Sequence, residues 1–424
     1  MAKPTNKTLK QERPVVDEQF YCQLCKRILW SSHEQEQETH DHCRSEMAFY
    51  QSQHNYNGFP TSAPEQQAML DLEELLRQPI PHLGDYSQAR FGFSYANHHF
   101  TGLRLSGQHL QWLPPTFTQL SYLQELDLSH NQLQVVPSFD NHNPHLKRLD
   151  LSHNNFRNLP AWVVEQGVLR DLDLSHNLIK DLPNNIDQLS HLTHLKASNC
   201  QLKTLPTSLS HLEYLVHLDV SNNKMVSLGF DLGRLVNLRT LLAQNNAIVT
   251  LPPSVGWLGQ LRKLNLGTNH LTSIPSTLGE LHHLEELFIY QNALTHLPSS
   301  LGKLGNLRKL SLFGNKVRQL PKLSNLQSLE VVNLEDMGLE VLPTGLSSLP
   351  NLRALHLRWN ALAEVDPLLM ELPKLEVLDL SYNHMTIPPH IIKNFSERGV
   401  DLFFTTKMFE DQPDPSGSVG SLFE

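Results

Sequence analysis

The chain has 424 residues, a formal net charge of −9 and an isoelectric point near 6.2. That length exceeds one ordinary compact domain, and the acid excess argues against a general phosphate-backbone binder, which needs a basic face. The four cysteines are Cys22, Cys25, Cys43 and Cys200; three cluster and one is remote, which excludes a disulfide framework. No apolar run reaches about 18 residues, so no membrane span is expected. The polar opening MAKPTNKTLKQERP carries no secretory signal, and a cytoplasmic location is the expectation.

In chain order, residues 1–19 read as disordered. Residues 20–50 hold FYCQLCKRILWSSHEQEQETHDHC, in which Cys22, Cys25, His40 and Cys43 make a C-x2-C-x14-H-x2-C pattern. Two thiolates three apart share a turn, and a His and Cys three apart share one face of a helix. Together they suit one tetrahedral, structural zinc ion, with His33 and His42 as alternative nitrogen ligands. The competing readings are a chance C-x2-C in a chain with 24 histidines, and a redox pair, for which no surrounding βαβ pattern exists. The cluster is similar to small zinc fingers in general. Its spacing departs from the two-Cys, two-His nucleic-acid finger and its surroundings are rich in Glu, so nucleic-acid binding is not carried over.

Residues 51–63, QSQHNYNGFPTSA, read as a linker. In 64–99, Met69, Leu72, Leu75 and Leu76 fall at helical spacing, and FGFSY at 91–95 alternates as a strand does. This helix and strand form the expected N-terminal cap.

From Phe100 a repeat takes over. Leucines open successive units at 123, 146, 169, 192, 215, 238, 261, 284, 307, 329, 352 and 375, a step of 23 with a single step of 22 after 307. With the Phe100 unit this gives 13 units over 100–397. The unit LRKLNLGTNHLTSIPSTLGELHH at 261–283 shows the pattern. Its L-x-L alternation has the period of a short strand, and its later leucines, three apart, suit a helical or 3-10 turn on the opposite side. No unit buries its leucines alone, but stacked neighbours do. Asn fills the ninth place in ten of the 13 units, where its amide can bond backbone groups of the next coil. Gln108, Cys200 and Met337 are the exceptions. Cys200 reads as a ladder substitute, and Met337, near the 22-residue unit, predicts a local irregularity. Gly229 in place of a proline, and VDP at 365–367 in place of LP, read as loosened loops. VDLFF at 400–404 predicts a C-terminal cap strand within 398–406, and 407–424 reads as a disordered tail.

The repeat resembles the leucine-rich repeat family, of the 23-residue LP-x-x-L type found in intracellular scaffold and bacterial proteins. The resemblance covers nearly all of 100–397. It implies an α/β solenoid, a curved horseshoe with a parallel β-sheet on its concave face and a protein partner bound there. It supplies no catalytic group, and the lack of Cys-rich end caps favours an intracellular site.

The third, fifth, seventh and eighth places of each unit are expected to face the concave side. In the first half they are acidic and polar: Asp127, Asp150, Asp173 and Asp219, with Glu125 and Asp171, and with Arg104, Arg148 and Lys196 among them. A solvated face and a binding face explain this equally. The second half carries Leu242, Phe288, Tyr290, Phe313, Trp359 and Tyr382, with Lys263, Lys309 and Arg358. Aromatics beside Arg compose binding hot spots. The alternative is ring packing between strands that only stabilises the sheet.

No G-x-x-x-x-G-K-[ST], H-E-x-x-H or G-x-S-x-G motif occurs, so no enzyme and no small-molecule substrate are expected. The recurring Asp/His pairs of LDLSHN are a product of duplication, and a pH-sensing His column is a weaker reading of them. The sequence therefore predicts a non-enzymatic scaffold binding a protein partner on the concave face, in intracellular signalling. Two alternatives stay open: an adaptor whose metal module recruits a ubiquitin-transfer or signalling enzyme, including as a secreted effector, and a nucleic-acid-associated factor acting through the finger. A RING needs eight ligands, more than this segment holds.

Overall fold

The computed structural model describes residues 19–22, 27–30, 54–84, 89–139, 143–229 and 231–405, with backbone only for 19–22, 27–30 and 54–55. β1 (Gln19–Cys22) and β2 (Arg27–Trp30) form an antiparallel hairpin with Cys22 opposite Arg27. Cys25, His40 and Cys43 lie outside the described residues, as do the expected disordered ends.

The segment read as a linker carries a second hairpin, β3 (His54–Tyr56) and β4 (Phe59–Thr61). Its turn is Asn57-Gly58, both at positive φ, the dipeptide that two-residue hairpins favour. Tyr56 is buried, rings with Phe93 and Phe100, and donates its hydroxyl to Glu73 at 2.6 Å. α1 (Ala63–Leu76) starts at Ser62, whose hydroxyl accepts from the Glu65 N–H as an N-cap and donates to the Glu65 carboxylate at 3.0 Å. Met69 and Leu72 face the core, and Leu75 and Leu76 pack at its edge. The expected cap helix and strand are present, with the hairpin added.

β5 (Phe91–Ala96) pairs antiparallel with β6 (His99–Leu105). β7 (Glu125–Asp127) through β18 (Val377–Asp379) follow in parallel, one per coil, and β19 (Asp401–Phe403) closes a 15-stranded open sheet in strict chain order. The register steps by 23 residues, as Leu264↔Leu287↔Leu310 shows, and by 22 at Leu310↔Val332. This is the solenoid the repeat predicts.

The coil from Leu261 shows why each residue is where it is. Leu261, Leu264, Leu266, Leu271, Ile274, Leu278 and Leu281 are all buried in one continuous core. Pro275, with its fixed φ, leads into a 3-10 turn at Ser276–Glu280 on the outer side. Gly279 allows the next turn close, since a Cβ there would collide with the Ser300 backbone. The amide ladder also forms, but toward the preceding coil rather than the next. Asn154 accepts from the Leu133 N–H at 2.9 Å and donates to the Leu128, Leu151 and Ser152 carbonyls. Cys200 keeps one rung, its thiol donating to the Leu174 carbonyl at 3.3 Å, and burial pushes that thiol up to about 11. Beside Met337 the 22-residue unit lacks a 3-10 turn, and Asn360 accepts from the N–H groups of both Met337 and Leu339.

The sequence reading treats the chain up to 397 as repeat. The last coil instead turns through α2 (Pro389–Glu397), which buries Ile391 and Phe395 four apart, before β19. The C-terminal cap is therefore helix plus strand.

Candidate functional site

In all 13 coils the eighth residue is left-handed, from Gly107 and His130 through Gln291 and Gly314 to Trp359 and Tyr382. Gly and Asn enter that region most easily, and His is also enriched there; Trp and Tyr are unusual. Two coils thus place large rings where the backbone gives them least help.

The concave face is less open than expected. Ser129, Ser152, Ser175 and Ser221, at the seventh place, are buried. Phe288 is only 3% exposed, with Lys263 Nζ 5.5 Å from its ring centroid, so it is a core side chain and not a contact surface. From Phe288 onward the fifth place is buried in each coil, at Ser311, Asn333, His356 and Asp379. Tyr290 stacks on Phe313 at 4.9 Å and lies over Gly267, where a Cβ would collide with the ring. Both rings are half-buried, so ring packing explains part of this pair. Lys263 and Lys309 both bridge Glu286, at 3.0 and 3.3 Å. Leu242 is half-buried between Asp219 and Asn265.

The last coils differ. Trp359 is 42% exposed. The Arg358 guanidinium lies over Trp359 at 4.0 Å and over Tyr382 at 4.7 Å, and the two rings are 5.6 Å apart. Tyr382 is held in place by its N–H donating to Thr405 of the cap at 2.9 Å, and Phe403 of β19 is exposed beside it. A planar cation held on two rings keeps its orientation at low entropic cost.

The first half is a lattice of charges. Glu125 bridges Arg104 and Arg148, Arg148 bridges Asp171, and Lys196 lies 3.6 Å from Asp173. Asp127, Asp150, Asp173 and Asp219 each accept from the N–H two residues on, at 2.9–3.0 Å, so they build the turn after the strand. Burial, and then Asp173 and Asp127, raise Asp150, against the Ser152 hydrogen bonds that lower it. His130, His153 and His176 do stack, at 4.0 and 3.9 Å. Burial, then His176 and His130, hold His153 below its ordinary value.

Sequence reasoning missed a third group. Glu335, His356 and Asp379 meet in the coils of β16 (Val331–Asn333), β17 (Ala354–His356) and β18. Each is isolated in sequence; reading the fifth and seventh columns across coils would have joined them.

Family profiles for "Leucine-rich repeat region" match residues 206–316 and 252–386, for "Leucine Rich repeats (2 copies)" 123–162, and for "Leucine rich repeat" 144–202. A solved leucine-rich repeat protein of Leptospira interrogans is 30% identical, with 72% of each chain covered and a TM-score of 0.60. The internalin InlF of Listeria monocytogenes is 22% identical over 82% of this chain and 98% of its own, with a TM-score of 0.65. The structure of the Drosophila Toll–Spatzle complex aligns at 23% identity, 72% and 47% coverage and a TM-score of 0.58. The last two are likenesses of fold. No curated protein matches the chain. The chain belongs to the leucine-rich repeat family. Among the described residues no helix is long and apolar enough to cross a membrane.

Proposed function

We propose that the protein is a non-enzymatic scaffold that binds a protein partner on the concave face of its last coils. The observation that carries this is the Arg358–Trp359–Tyr382 rung. An exposed indole, a guanidinium stacked on it and a tyrosine ring under the same guanidinium are the residue types that dominate binding hot spots. Tyr290 and Phe313 extend the surface, with Lys309 in the coil of Phe313, and Lys263 and Leu242 continue it on the preceding strands. The fold serves protein recognition widely, and the Toll structure is that of a complex with Spatzle. The test is affinity capture with wild type against a Tyr290→Ala/Trp359→Ala/Tyr382→Ala chain. A partner held equally by both removes the reading.

At the N-terminal end, Cys22, Cys25, His40 and Cys43 are proposed to hold one structural zinc ion. Support comes from the ligand spacing, and from a segment too short to form a dry core without metal. Protein purified without added metal and then analysed for zinc tests it. Substoichiometric zinc that is unaffected by Cys22→Ser/Cys43→Ser contradicts it.

A further inference from the structure

Glu335, His356 and Asp379 come from three consecutive coils and converge on the concave face. One carboxylate oxygen from each acid and one imidazole nitrogen all lie within 4.8 Å of one another. His356 Nδ1 is 3.8 Å from Glu335 Oε1, too long for a hydrogen bond. Two ligands about 2.0–2.2 Å from one tetrahedral ion sit roughly 3.5 Å apart, so a small rotation brings both into range.

The group is buried: His356 is 2%, Glu335 16% and Asp379 7% exposed. Two carboxylates taken out of water side by side are costly unless a cation joins them. One oxygen of Asp379 accepts from the Ser381 N–H at 2.9 Å, which fixes the carboxylate in the group. Glu335 Oε1 is buried with no hydrogen-bond partner among the described residues. Burial, and then Asp379, push Glu335 up to about 7, and outweigh the opposing charge of Arg358, whose guanidinium is laid on Trp359 and Tyr382. Burial also holds His356 below its ordinary value, in the neutral form that ligates metals. Glu125, Asp171 and Asp173 of the first half differ: their cations are Arg104, Arg148 and Lys196, already in place.

We propose that Glu335, His356 and Asp379 bind one divalent transition-metal ion. An imidazole with two carboxylates suits zinc or manganese better than calcium or a soft thiophilic ion. Three protein ligands leave a coordination position open, in the same coils as the Arg358–Trp359–Tyr382 rung. The site stands whether or not a partner docks on that rung.

The test uses the full chain carrying Cys22→Ser and Cys25→Ser, stripped of metal and titrated with zinc chloride by calorimetry. The expected result is one zinc ion per chain, weakened at least about tenfold by His356→Gln and by Asp379→Asn, and unchanged by Glu125→Gln in the other acidic groove. Cobalt in place of zinc should give ligand-field bands without thiolate charge transfer. If circular dichroism finds either buried variant unfolded, Glu335→Gln reads the same loss from the least buried ligand. No saturable binding, binding indifferent to all three substitutions, or a thiolate band from bound cobalt overturns the proposal.

Discussion

The coils that start at Leu123 to Leu215 and those that start at Leu284 to Leu375 share one backbone and present different faces. In both, leucines fill most of the core, a ninth-place Asn ties the coil to the one before except at Cys200 and Met337, and the eighth residue is left-handed. In the first half the remaining places carry carboxylates that close turns and pair with Arg and Lys. In the second they carry rings, a stacked guanidinium and a buried acid–imidazole group. The repeat's demands are met by a fixed set of positions, which leaves the others free to differ. Function is to be sought where those free positions stop looking like solvated turn residues.

That contrast can be broken by substitution. Phe288→Ala should be the most damaging change, lowering stability by about 3 kcal/mol because it empties a buried site despite lying on the concave sheet; urea melts read it. A loss near zero would return Phe288 to the surface. Asn177→Ala and Asn315→Ala should each cost about 2 kcal/mol, alike in both halves, because each leaves a buried N–H unpaired, that of Phe156 or of Leu294. A large inequality would mean that the halves differ in framework as well as face. Trp359→Ala should leave stability within about 0.5 kcal/mol and weaken partner binding by roughly 1–3 kcal/mol.

The smallest effect concerns pH. His153 is held below its ordinary value in the folded chain, so the unfolded chain takes up more protons as pH falls through about 6.5. The stability this group contributes at neutral pH is therefore lost on acidification. His153→Asn, which suits the left-handed backbone, should shrink that loss between pH 7 and 5 in thermal melts. An unchanged pH slope would mean that the stacked column does not respond as a unit.

Much of the architecture was legible because a 23-residue step repeats a physical requirement many times. The core positions, the presence of the amide ladder and the 22-residue irregularity follow from it, and the cap helix from the helical spacing of Met69, Leu72, Leu75 and Leu76. The hairpin at 54–61 was missed although Asn57-Gly58 is a strong turn signal, because its strands are only three residues each. α2 was absorbed into the last repeat because its Ile391 and Phe395 mimic the outer leucines of a coil. Phe288 was misread because burial on a curved sheet depends on neighbours such as Lys263, which alternation alone does not weigh. Glu335, His356 and Asp379 escaped because their chemistry exists only once three coils are stacked.

The most direct test compares the two faces against a captured partner. Binding constants would be measured for Trp359→Ala/Tyr382→Ala and for Glu125→Gln/Arg148→Gln, each checked for an unchanged melting temperature. Docking on the last coils predicts a loss of at least about tenfold for the first pair and wild-type affinity for the second. Wild-type affinity for the first pair, with loss in the second, would contradict it and move the site to the acidic half.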